Sequence, residues 1–148
     1  MKKIFVFLLF CVFLNAFDKT ALLNDTNSTC PVRFVDVAKQ PKFACFLIYK
    51  DGDKIALSSV KAMFHYFYTQ NYNHGLLKQM LVSDYKSGEL IDATSAFYVF
   101  GSRIVSASGD DLIPFATLED AKEFMEANSG HKIFEHKDIS KKLIDYLN

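Results

Sequence analysis

Twice along this chain the hydrophobic period changes from two to about 3.6 and back, and that alternation limits the fold more than any other feature. Lys42-Phe43-Ala44-Cys45-Phe46-Leu47-Ile48-Tyr49-Lys50 reads as a strand, Asp51-Gly52 as a turn, and Lys54-Ile55-Ala56-Leu57 as the return strand of a hairpin. Ser58 or Ser59 then caps a helix carrying Val60, Met63, Phe64 and Phe67 at i, i+3, i+4, i+7 spacing. Residues 71–75 stop it, and 77–85 form the next strand. After Lys86-Ser87-Gly88 the grammar repeats. Residues 90–93, 96–100 and 113–116 are strand material, and Thr117 caps a helix with Asp120 at the capping-box position. Leu118, Ala121, Phe124 and Met125 line that helix, Asn128-Ser129-Gly130 ends it, and Lys132-Ile133-Phe134 is a strand. The order predicts an α+β fold of two ββαβ-like units, over about 41–85 and 88–137, plus a short C-terminal helix near 141–146.

The N-terminus predicts export. Lys2-Lys3 precede an apolar run from Ile4 to Leu14, followed by Asn15-Ala16, the pattern of a secretory signal peptide over residues 1–16. The run is too short for a bilayer span, which needs about 20 apolar residues. Cys11 follows Phe10 too early in the run for a lipoprotein signal, so a soluble periplasmic chain beginning at Phe17 is expected. Residues 17–29 read as a polar, flexible linker. Within it Asn27-Ser28-Thr29 is a sequon with Asp25 two places before the asparagine, a possible glycosylation site at Asn27. The other reading is a plain solvated linker. In an oxidising compartment Cys30 and Cys45 could close a disulfide; a free thiol at Cys30 and a buried strand cysteine at Cys45 is the alternative.

Charge and motif content exclude several functions. Lys+Arg and Asp+Glu both total 17, whereas a nucleic-acid binder needs a basic excess to neutralise phosphates. No nucleophile elbow, zinc-protease helix, P-loop or dinucleotide fingerprint occurs, and an enzyme is not expected. His65 and Met63 are two apart on one helix and do not face each other. His131 and His136 flank a strand among lysines and read as solvated, while Met63, Met80 and Met125 read as packing. Asp84 and Asp92 fall near turns, where aspartate is common.

Several segments together carry a family resemblance. They are Cys30-Pro31-Val32, Pro41-Lys42-Phe43-Ala44 with Tyr49-Lys50-Asp51-Gly52, and above all the run from Val82-Ser83-Asp84-Tyr85 through Gly88-Glu89-Leu90-Ile91-Asp92-Ala93. Ala96-Phe97-Tyr98-Val99, Gly101-Ser102, Leu112-Ile113-Pro114-Phe115 and Ala121 to Phe124 continue it. The chain resembles the NosL family, periplasmic accessory proteins of nitrous oxide reductase maturation. The resemblance implies two ββαβ-like units over 30–148, a role in carrying Cu(I), and a periplasmic metalloenzyme or assembly factor as partner.

Cu(I) takes soft ligands: thiolate, thioether and imidazole. The family presents them as Cys-x-x-Cys-Gly-Met and as Met-Gly-His before the Ile-Pro-Phe strand. Here the first motif reads Cys30-Pro31-Val32-Arg33-Phe34-Val35, and the second falls on Ser108-Gly109-Asp110. Cys30 alone carries over as a metal donor, and serine and aspartate offer hard oxygens. The expected function is therefore an accessory protein with copper binding weakened or lost, its former copper loop now a turn. Should copper bind tightly all the same, its ligands lie elsewhere, with Met63, Met80, His65 and His74 the first to test. The alternative is a non-metal periplasmic interaction module that kept the fold and exchanged the ligand.

Overall fold

The Asp51-Gly52 turn closes as its sequence requires: Gly52 stands at φ +100°, and its N–H donates to Tyr49 O at 3.2 Å. It joins β1 (Cys45–Tyr49) to β2 (Lys54–Leu57) in a computed structural model that describes residues 17–70 and 74–148. The expected signal peptide at 1–16 lies outside the described residues, as do 71–73 and the His74 side chain. Ser59 begins α2 (Val60–Thr69); its hydroxyl accepts from Ala62 N at 3.1 Å, a cap of the kind that contributes about 1 kcal/mol. Val60, Met63 and Phe64 of α2 are buried, and Phe67 packs against the same core from a half-buried position. Then follow β3 (Leu77–Ser83) and β4 (Leu90–Asp92), making an antiparallel sheet of order β2-β1-β3-β4.

The second half holds β5 (Phe97–Ser106), β6 (Gly109–Phe115), α3 (Leu118–Ala127) and β7 (Lys132–Glu135), with sheet order β6-β5-β7. The mixed α+β class and the repeated ββαβ order are thus both present. Thr117 caps α3 by accepting from Asp120 N at 3.1 Å, while its hydroxyl donates to the Asp120 carboxylate. The end of α3 differs in detail from the glycine stop. Ser129 takes the left-handed position at φ +56°, and Gly130 is instead needed for space: a Cβ there would lie 2.7 Å from Val99 and 2.8 Å from Met125. α4 (Lys141–Leu147) closes the chain against α2.

Two boundaries depart from the sequence reading. Leu90–Asp92 pairs with β3 (Val82 opposite Ile91), so the strand expected to open the second half ends the first sheet. Residues 17–29 also carry structure: α1 (Lys19–Asp25) is capped by Asp18, buries Leu22, and sends Lys19 Nζ to Pro41 O at 3.1 Å. Helical spacing over seven residues is too short to read, and the groove that receives Leu22 exists only in three dimensions.

The halves are joined at the Asp84-Tyr85 turn. Pro114 can stand in β6 because β6 is an edge strand. Its free carbonyl accepts from Tyr85 N at 2.9 Å. Asp84, 3% exposed, accepts from Ser87 N at 3.1 Å and Ala116 N at 3.2 Å, holding the turn to the end of β6. Tyr85 then packs edge-on against Phe115 and Phe124 of the smaller core. In the larger core Tyr98 is fully buried, T-shaped to Phe64, with its hydroxyl donating to Ala93 O at 2.6 Å.

Candidate functional site

The polar stretch from Ser106 to Asp111, which contains Ser108-Gly109-Asp110, forms the tip of the β5–β6 hairpin. Ser106 pairs with Gly109, leaving Ala107-Ser108 as the turn, and Gly109 stands at φ +77°. Ser106 Oγ accepts from Ser108 N at 2.9 Å and donates to Asp111 Oδ2. Asp111 is 3% exposed, and its Oδ1 accepts from Lys61 N at 2.9 Å and Leu112 N at 2.7 Å. A carboxylate from the hairpin therefore satisfies an N–H in the first turn of α2, where helix geometry leaves donors unpaired. Burial pushes the Asp111 carboxyl above its ordinary range, against the opposing pull of these hydrogen bonds. Burial likewise pulls the Lys61 ammonium below its usual value, with Asp111 and Asp110 acting the other way. Lys61 Nζ is satisfied by Leu147 O at 3.0 Å.

Residues 30–35 form a tight turn beside this tip. Phe34 N donates to Cys30 O and Cys30 N to Val35 O, both at 2.9 Å. Arg33 leaves the turn and donates from Nε to Ser108 Oγ at 2.9 Å and from Nη2 to Asn148 Oδ1 at 2.6 Å. Ser108 Oγ in turn lies 2.7 Å from Ser59 Oγ. So the structure brings together the two segments that the resemblance equates with copper motifs. Arg33, at the position of the second motif cysteine, meets Ser108, at the position of the motif methionine. Phe34 occupies the motif glycine's place at φ +56°, a left-handed conformation costly for a side chain, and is 82% exposed.

The remaining candidates are scattered. Asp110 is exposed on the hairpin, whereas Cys30 is fully buried in the larger core. Cys30 and Cys45 are both buried free thiols in this structure, with Cys45 Sγ turned to Phe43 O at 3.4 Å. Burial raises the Cys45 thiol well above its ordinary value. Met63 and Met80 are core residues, and His65 Nδ1 lies 3.3 Å from Asn148 Nδ2. His136 is not solvated as expected; its ring packs on Phe64 at 5.5 Å, with Nδ1 buried. Asp92 accepts from Thr94 N at 2.7 Å, a local turn. Among the described residues no three His, Cys, Asp or Glu side chains converge as a metal-binding group. Asn27 is exposed, its Oδ1 accepting from Thr29 N at 3.0 Å.

Arg33, Ser59 and Asp111 were not singled out as site residues by sequence. Asp111 had a readable signal, a carboxylate leading directly into an apolar strand. Arg33 had none, because its partner is 75 positions away.

Fold and site together define a small α+β domain of two joined ββαβ units, with one turn of the first unit locked to a hairpin tip of the second. The NosL family model matches residues 22–144, and the chain belongs to the NosL family. Among solved structures it is similar to the copper chaperone NosL from Shewanella denitrificans, at TM-score 0.67 and 22% identity, covering 78% of this chain and 93% of that one. At that identity the likeness is one of fold. A search of curated proteins gives no match.

Proposed function

We propose that this chain is an exported, non-enzymatic accessory protein of the NosL family in which Cu(I) binding is weakened or lost. The observation that carries this reading is the Arg33–Ser108 hydrogen bond. Both positions hold soft donors in the family motifs, and here they hold a guanidinium and a hydroxyl. A fixed positive charge repels Cu(I), and a hydroxyl is a hard donor with little affinity for it. Cys30, the one motif cysteine retained, is fully buried in the larger core, with no open face for a metal ion. The partner remains a periplasmic metalloenzyme or assembly factor, with nitrous oxide reductase the one that the family points to. A second reading, a non-metal interaction module, is favoured by a cleft of about 400 Å³ that runs beside Phe34, Val35 and Ala107.

The test is a Cu(I) titration of the mature chain, from Phe17 onward, against a competing chelator. The parent chain should lose to the chelator. A variant carrying Arg33→Cys, Val35→Met, Ser108→Met and Asp110→His should gain about a hundredfold in affinity, near 2.7 kcal/mol. Adding Cys30→Ser should remove much of that gain. Parent binding as tight as that of the restored variant would overturn the reading.

A further inference from the structure

The same cleft differs from an ordinary surface dent in how its walls are built. One wall is the segment from Asp36 to Gln40, held by the Thr29–Asp36 bridge and by Val37 N donating to Ser28 O at 2.8 Å. Asp36 caps the short 3-10 turn Val37–Lys39, its Oδ1 accepting from Ala38 N at 3.0 Å. Lys39 is the last residue of the same turn. Asp36 and Lys39 both line the cleft, yet they form no ion pair with each other. Lys39 pairs with no carboxylate among the described residues. The rest of the lining includes the apolar side chains of Phe34, Val35 and Ala107. Ser58 completes the lining; it is 2% exposed, and its hydroxyl has no hydrogen-bond partner among the described residues. A hydroxyl buried without a partner is costly to maintain, and a ligand that reaches it removes that cost.

We infer that this cleft binds a small zwitterion with an apolar body, of the class of a free amino acid with an aliphatic side chain. The ammonium group pairs with Asp36, the carboxylate with Lys39, and the side chain lies against Phe34, Val35 and Ala107. Ser58 supplies a hydrogen bond. At about 400 Å³ the cleft falls at the small end of ligand sites, which run from about 300 to 1,000 Å³. The inference rests on the second reading above, that the ligand of the fold has been exchanged, because Val35 stands at a motif methionine.

The experiment is calorimetric titration of the mature chain with L-leucine, glycine, N-acetyl-L-leucine and L-leucinamide, beside the Cu(I) titration. L-Leucine should bind with Kd below about 1 mM, and each of the other three at least about tenfold more weakly. Asp36→Asn keeps the capping oxygen and Lys39→Gln is exposed, so both variants should fold and both should weaken L-leucine about tenfold. Ser58→Ala should weaken it severalfold. No heat from L-leucine at 20 mM with folded protein (~20-fold above the expected Kd) overturns the inference. Equal binding of the acetylated or amidated forms, or unchanged affinity in Asp36→Asn and Lys39→Gln, overturns it too. Failure here with weak Cu(I) binding leaves the family reading intact; tight Cu(I) binding by the parent overturns that reading instead.

Discussion

Replacing Asp111 by alanine removes the side-chain acceptor of two buried N–H groups, Lys61 N and Leu112 N, and frees the Ser106 hydroxyl. Each buried donor left without a partner costs about 1–3 kcal/mol. Removing a buried charge offsets part of this, because burial disfavours the ionised carboxylate. The expected net loss is about 3 kcal/mol, or a fall of about 10 °C in Tm for a domain of this size. Urea unfolding at pH 7, followed by circular dichroism and by tyrosine fluorescence in a chain without Trp, measures it. Asp111→Asn keeps an oxygen for both N–H groups and offers its NH₂ to Ser106, so it should cost less than about 1 kcal/mol. The two variants also differ from the parent in pH response. With the folded pKa raised above 3.8, the folded state holds the proton more tightly than the unfolded chain. This group's contribution to stability therefore falls as pH rises from about 3.8 through the folded pKa and is level above it. Both variants should lack that decline. An alanine variant within about 0.5 kcal/mol of the parent would refute the clamp between hairpin tip and α2.

Phe34→Gly should stabilise the chain by about 0.5–1 kcal/mol in the same assay, since left-handed strain of about 1–2 kcal/mol is relieved and little burial is lost. Destabilisation would show that the ring packs on the cleft wall. Cys30 and Cys45 should react with a neutral thiol reagent on the order of a hundredfold more slowly in the native chain than in urea, and prompt labelling would show local opening of the 30–35 turn. In a host with a bacterial N-glycosyltransferase, Asn27→Gln should abolish a gel shift; a wild-type chain without a shift there ends that idea. Intact mass of periplasmic material should correspond to a chain starting at Phe17 with no acyl group, and a diacylated Cys11 terminus would contradict the export reading.

What the sequence disclosed follows from how far each signal reaches. The caps at Ser59 and Thr117 and the Asp51-Gly52 turn were legible because each is settled within four residues. β4 was assigned to the wrong neighbour because three half-buried residues have no period of their own, and Leu81 to Ser83 decide where they pair. α1 was missed for a related reason: Leu22 is its one buried residue, and a helix with a single buried side chain leaves no stripe to read. The site divides in the same way. That 108 and 110 carry serine and aspartate rather than soft donors has meaning only against the motif that the resemblance supplies. That Arg33 would reach Ser108, and that Asp111 would turn inward to Lys61, depends on contacts 75 and 50 residues apart that no local pattern encodes.

The bond from Arg33 to Ser108 bears on communication as well as chemistry. A carrier can tell its recipient that it is loaded only if the loaded and empty forms differ in shape or in stability. Here the two segments are fastened by the chain's own guanidinium, with no cargo required. The surface around Phe34 and Ala107 is therefore tied together without cargo, and a recipient docking there would meet one constant face rather than a message.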